Sequence, residues 1–134
     1  MRVLVNIDVD DIDLAIAFYQ SALPLQLSRR LFGGEIAELS GASSTLYLLQ
    51  KSAGSSATDG VGSTRDYRRH WTPVHLDFVV DDIDAAAARA IAAGARQEAP
   101  IESHAWGKLV TLSDPFGNGF CLVQFPGTVP YSSG

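Results

Sequence analysis

His75 and Asp77 stand two residues apart in the run "PVHLDFVVD". An imidazole and a carboxylate at i and i+2 leave a β-strand on the same face. Such a pair suits acid–base chemistry or the orientation of a ligand's polar group, and both are candidate catalytic residues. It suits equally well a satisfied polar cluster that holds two strands in register. Cys121, the only cysteine, lies in "GFCLVQF". It is either a small core hydrophobe or a thiolate, and a thiolate needs positive charge nearby, which His75 could supply if the two meet. Near the start, "VNIDV" carries Asn6 and Asp8 at the same spacing as His75 and Asp77. Leaving such groups buried and unpaired costs on the order of 1–3 kcal/mol each. They therefore bond to one another, to water or to a ligand.

Tyr47, Trp71, Trp106 and Phe120 lie on or beside the same strand-like runs. Flat aromatic walls suit planar or hydrophobic ligands, and core packing is the alternative for each. His104, in "ESHAWG", belongs to a loop that closes over a ligand or is ordinary surface. "RDYRRH" (Arg65 to His70) is the only basic cluster. Its Arg65, Arg68, Arg69 and His70 either meet an anionic ligand group or solvate a linker.

The elements that position these residues follow from periodicity. In "RVLVNIDVD", Val3, Val5, Ile7 and Val9 alternate with Arg2, Leu4, Asn6 and Asp8, the signature of a strand with one buried face. Asp10 or Asp11 caps the helix that follows, with Ile12, Ala15, Ile16 and Tyr19 at helical spacing. Leu23-Pro24 ends it. Strands are expected at 25–32, 35–40 and 44–50. The stretch 51–66 has no apolar period and is rich in Gly, Ser, Ala and Thr, which predicts a flexible linker. The pattern then restarts. Val74, Leu76, Phe78 and Val80 alternate with His75, Asp77, Val79 and Asp81, and the helix "DIDAAAARAIAAG" ends at Gly94. Further strands are expected at 96–103, 107–113 and 119–125, with "DPFGN" as a turn between the last two.

The Asp-Asp-Ile-Asp run at the head of the second helix repeats that of the first, with Asp82 standing 71 positions after Asp11. The chain thus contains an internal repeat of one βαβββ unit. The expected organisation is a single α+β domain over 1–134, with a first module at 1–50, a linker at 51–72, a second module at 73–127 and a tail at 128–134. Two curved sheets, each with a helix on one face, would enclose a central cavity as an eight-stranded open barrel with the helices outside.

Composition bounds the partners. The 134 residues are 46% hydrophobic and 19% charged, with a formal net charge of −5, ordinary for a soluble globular chain. Nucleic acid is an unsuitable partner for such a surface. The N-terminal apolar stretch is too short for a signal peptide, and no apolar run is long enough to span a membrane. With one cysteine and no intrachain disulfide, a cytoplasmic location is expected.

Taken together, the two βαβββ units, the "FY" at the first helix's end, the second-half "VH" and the "DPFGN" turn resemble the vicinal oxygen chelate superfamily of glyoxalases, bleomycin resistance proteins and ring-cleaving dioxygenases. The resemblance implies a cavity in which four side chains, from the first and last strand of each unit, bind a divalent metal. Those places fall on His75, seven residues before Asp82, and on Leu4, seven before Asp11. They fall also on Cys121, seven after Asp114, and on Tyr47 or a neighbour. Only His75 is a usual ligand there, a vestigial position, and Cys121 could ligate only as a thiolate, so no metal or other cofactor is expected; the alternative is a divalent metal, a soft one if His75 and Cys121 hold it. The resemblance implies a binding protein for a small hydrophobic or aromatic molecule, contacted by Asn6, Asp8, Tyr47, Trp71, His75, Asp77, Trp106, Phe120 and Cys121. The alternatives are a lyase, isomerase or dioxygenase with an unusual or metal-free site, and a structural or regulatory dimer. The resemblance also implies a homodimer.

Overall fold

The computed structural model describes residues 1–60 and 62–134. Val61, within the segment read as a linker, lies outside the described residues. The chain divides into two compact units, Met1–Arg68 and Arg69–Gly134.

The first unit runs β1 (Val5–Val9), α1 (Ile12–Ala22), β2 (Gln26–Leu31), a short 3-10 turn (Phe32–Gly34), β3 (Ile36–Ser40) and β4 (Leu46–Gln50). Its sheet has the order β1-β4-β3-β2, with β1 parallel to β4 and the other pairs antiparallel. The second unit runs β5 (Leu76–Val79), α2 (Ile83–Ala93), β6 (Arg96–Gln97), β7 (Glu102–His104), β8 (Gly107–Ser113) and β9 (Gly119–Gln124). Here β5 is parallel to β9, the order is β5-β9-β8-β6, and β7 also pairs with β8. The fold is α+β, two helices on two mixed sheets, and the second unit repeats the topology of the first.

One expected strand, 96–103, is instead two short ones. Pro100 has no N–H to give the ladder, and pairing stops on both sides of it. The strand expected from Val74 begins at Leu76, which leaves His75 just ahead of it.

Both helices start where the carboxylates predict. Asp11 accepts a hydrogen bond from Leu14 N at 3.0 Å, and Asp82 from Ala85 N at 3.1 Å. Gly94 closes α2 at φ 119°, a conformation open to glycine. Helix α1 buries Ile12, Ala15, Ile16, Phe18, Tyr19 and Ala22 beside Ala37, Leu39, Leu46 and Leu48 of its sheet. Helix α2 offers a smaller surface, Ile83, Ala87 and Ala90, to the sheet that carries Val110, Leu112, Phe120 and Leu122. Each large aliphatic or aromatic side chain so buried stabilises its unit by about 1.5–3 kcal/mol relative to exposure. In each unit strand alternation leaves the other sheet face free of the helix.

The segment expected to be a flexible linker is folded on itself. Ser56 and Thr64 form an antiparallel bridge, flanked by bonds from Gly54 N to Arg65 O (2.7 Å) and from Arg65 N to Ser55 O (2.8 Å). The Tyr67 hydroxyl donates to Lys51 O at 2.6 Å. The 128–134 tail is likewise held, by Tyr131 against Trp106 and Phe125 and by the Ser133 hydroxyl on Ala105 O.

Candidate functional site

The helix-free face of the second unit gathers His75, Asp77 and Cys121. Parallel pairing of β5 with β9 sets Asp77 opposite Cys121, and antiparallel pairing of β9 with β8 sets Cys121 opposite Thr111. His75 Nε2 lies 3.2 Å from Asp77 Oδ1. The three potential donor atoms of His75, Asp77 and Cys121 all lie within 4.8 Å of one another. The Trp71 ring leans on the imidazole, with centroids 5.0 Å apart and planes at 47°. Both members of the His75–Asp77 pair are about one-third exposed, so water and a solute can reach them.

The Cys121 thiol is pushed up from its ordinary pKa, chiefly by burial, with the Asp77 and Glu98 carboxylates adding to the shift. The Thr111 hydroxyl, 3.5 Å from Sγ, opposes it. At neutral pH Cys121 is therefore a thiol, and the activation by His75 that the sequence allowed does not prevail.

Arg69, of the basic cluster, and Glu98, which sequence reasoning missed, flank this face. Arg69 Nε and Nη2 reach the two carboxylate oxygens of Glu98 at 2.7 and 2.8 Å, and Glu98 N donates to Thr111 O at 3.0 Å. The guanidinium lies over Gly119, where a Cβ would come within 2.5 Å of Nη2. The "DPFGN" turn is held by Asp114. Its Oδ1 accepts from Phe116 N and Asn118 N and its Oδ2 from Asn118 Nδ2, which satisfies a carboxylate that is only 5% exposed.

Two expected site residues of this unit lie elsewhere. Phe120 alternates with Cys121, so it turns to the helix-covered face, buried edge-on against Phe78 with centroids 5.8 Å apart. Trp106 stacks on His104 at the far end of β8, with centroids 4.9 Å apart and planes at 9°, and joins Phe125 and Tyr131. His104 Nε2 is 2.9 Å from Glu102 Oε2.

In the first unit the same pairing sets Asn6 opposite Tyr47 and Tyr47 opposite Glu38. Asn6 and Tyr47 thus occupy the places of Asp77 and Cys121, which settles the register of β4 on Tyr47. The Tyr47 hydroxyl donates to Glu38 Oε2 at 2.8 Å, and Arg29 grips both oxygens of Glu38 at 3.0 and 2.9 Å. The Arg29 hydrogen bond holds the Glu38 carboxyl below its ordinary range, with Tyr47 assisting, and that carboxylate raises the phenol's pKa. Alternation within β3 was the available signal for Glu38, since Ala37 and Leu39 are buried on either side of it. Asp8 Oδ2 accepts from Arg65 Nε at 2.7 Å. The cations of "RDYRRH" are committed in the same way, with Arg68 on Asp66 and Arg69 on Glu98. Leu4, 50% exposed, precedes β1 as His75 precedes β5.

The four positions that the resemblance assigns to a metal do not fit one. Leu4 has no donor atom. Tyr47 keeps its proton and spends it on Glu38. Of the four, only His75 and Cys121 can ligate, too few for a hard divalent ion that wants several oxygen or nitrogen donors.

Two modules of one topology, each with a polar helix-free face, define a domain of the glyoxalase kind. A family model described as a glyoxalase-like domain matches residues 4–123, and the chain belongs to that family, within the vicinal oxygen chelate superfamily. No curated protein matches the sequence. Among solved structures, the chain is similar to a glyoxalase-related enzyme from Fulvimarina pelagi, with 17% identity, a TM-score of 0.72, and 94% of this chain and 88% of that one covered. It is also similar to the genomically encoded fosfomycin resistance protein FosX from Listeria monocytogenes, with 17% identity, a TM-score of 0.70 and coverages of 95% and 93%. A lactoylglutathione lyase from Agrobacterium tumefaciens gives 22% identity, a TM-score of 0.63 and 92% coverage of both chains. These likenesses speak for the fold. Among the described residues no helix is long and apolar enough to cross a membrane.

Proposed function

We propose that this protein is a cytoplasmic, homodimeric small-molecule-binding member of its superfamily, without the usual four-donor metal centre. Its two sheets would curve into an eight-stranded open barrel around a cavity for a small hydrophobic or aromatic compound. The observation that carries this reading is the Trp71 ring beside the His75–Asp77 pair, 5.0 Å from the imidazole. An aromatic plane next to an oriented polar pair is what a planar ligand with one polar group needs. Leu4 and the engaged Tyr47 support the loss of the family's metal.

The rival is an enzyme, a lyase, isomerase or dioxygenase, and the 3.2 Å His75–Asp77 contact favours it as an acid–base pair. The fold relatives include both a resistance protein and a lyase and do not choose between these readings.

The test uses a Trp106→Phe background, which leaves Trp71 as the only tryptophan. Planar aromatic compounds, beginning with anilinonaphthalene sulfonate, should quench Trp71 fluorescence saturably and raise the melting temperature. His75→Ala should weaken that binding from a few-fold to about a hundredfold, the worth of one hydrogen bond, and leave the fold intact. Unchanged affinity with a clear loss of stability would show that His75 only pins strands. Turnover of a bound compound that is lost in Asp77→Asn would favour the enzyme.

A further inference from the structure

The three donors on the second unit's helix-free face differ in kind: a nitrogen of His75, an oxygen of Asp77 and the sulfur of Cys121. In tetrahedral zinc sites, bonds of roughly 2.0–2.3 Å put nitrogen and oxygen donors about 3.3 Å apart and sulfur about 3.6 Å from either. His75 Nε2 and Asp77 Oδ1, at 3.2 Å, already stand at that separation. The sulfur lies within 4.8 Å of both, so a side-chain movement of about 1 Å would close the triangle.

We propose that His75, Asp77 and Cys121 form a binding site for a thiophilic divalent cation of the zinc class, carried by the second unit alone. The sulfur selects such an ion over magnesium, calcium or manganese, which prefer oxygen. Arg69, the guanidinium on this flank, is engaged bidentately by Glu98, so it does not take the place of a cation at Asp77. On binding, the Cys121 S–H bond breaks, a sulfur–metal bond forms and the proton leaves to solvent, with no change of oxidation state. The Thr111 hydroxyl, 3.5 Å from Sγ, is placed to donate to the resulting thiolate, a supporting contact of the kind that orients metal ligands. Three protein donors leave a fourth tetrahedral position for water or a solute.

His75 and Cys121 stand at two of the superfamily's four positions, and the donor set as a whole is a different one. Asp77 stands at none of the four, and the first unit supplies no donor. The expectation of a metal-free protein rested on those four positions alone. The zinc-class site stands whether or not the cavity binds an aromatic compound.

The test starts from chelator-treated, reduced protein titrated with Zn2+ by calorimetry and with Co2+ by absorption. One Zn2+ per chain is expected, and Co2+ should produce the near-ultraviolet charge-transfer band of a cobalt–thiolate bond. Cys121→Ser should abolish that band. Asp77→Asn should weaken Zn2+ by at least about tenfold, the loss seen even when only a supporting contact is removed. His104→Ala, which alters the His104–Glu102 pair outside this face, should change nothing. Circular dichroism checks that each variant is folded, and the cobalt spectrum of the unaltered protein needs no variant. Absence of the band in that protein, or unaltered Zn2+ affinity in Cys121→Ser, would overturn the proposal.

Discussion

Gln124, the last residue of β9, accepts through Oε1 a hydrogen bond from the backbone N–H of Ile83 at 2.9 Å. The first unit has the same contact, from Ile12 N to Gln50 Oε1 at 3.0 Å. The last strand of each unit thus reaches across to satisfy the first orphan donor of that unit's helix, while Asp11 and Asp82 satisfy the third. Helix and sheet are tied at the start of the helix, the point from which the neighbouring β1 and β5 run back toward Asn6 and Asp77.

Gln124→Ala should therefore cost about 1 kcal/mol, because Ile83 N loses its partner in a half-buried place. Urea denaturation against the unaltered protein measures it. A midpoint unchanged by the substitution would show that water replaces the carboxamide at no cost.

Two glycines of the second unit should respond differently to alanine. At Gly107, φ is 151° and a Cβ would meet Gln124 O at 2.3 Å, backbone that cannot step aside. At Gly119 the obstacle is the Arg69 guanidinium, the mobile end of a long side chain. Gly107→Ala should cost more than about 2 kcal/mol, and Gly119→Ala about 1 kcal/mol or less as Arg69 swings away from Glu98. Thermal melts of the two variants rank them, and the reverse order would refute the packing described.

Acid should weaken the fold through Glu98. The Arg69 hydrogen bond is the main reason that its carboxyl is held below the ordinary range. A carboxyl with a lowered pKa in the folded state stabilises above its unfolded pKa, and the contribution fades as pH falls through the lower folded value. Stability measured from pH 6 down to pH 3 should thus decline, and Glu98→Gln should flatten part of that decline. Identical slopes would mean that the exposed part of the pair is screened to nothing.

Cys121 should react slowly with iodoacetamide in the metal-free folded protein at pH 8, and the rate should climb only above the thiol's ordinary pKa. Burial, Asp77 and Glu98 all favour the protonated form. Urea should release the thiol and restore ordinary kinetics. Rapid alkylation at pH 7 of the folded chain would show that His75 dominates the field at the sulfur after all.

The sequence by itself determined what depends on neighbours in the chain. Alternation marked β1 and β5, apolar spacing marked α1 and α2, and Asp11, Asp82 and Gly94 marked helix ends, because period and capping are satisfied within a few residues. The repeat at Asp11 and Asp82 carried the fold class with it, and the shared face of His75 and Asp77 followed from their spacing. Tertiary structure decided the partners. Arg65 meets Asp8 across 57 positions and Arg69 meets Glu98 across 29, and nothing local to either arginine selects its carboxylate. Strand pairing placed Tyr47 opposite Asn6, set Cys121 beside Asp77 and sent Phe120 into the helix-side core, though all three lie on strands expected from the sequence. A strand's period says that successive side chains part to opposite faces. Which face meets the helix, and which residue lies across the ladder, is fixed only when distant strands pair and the helix settles on one side.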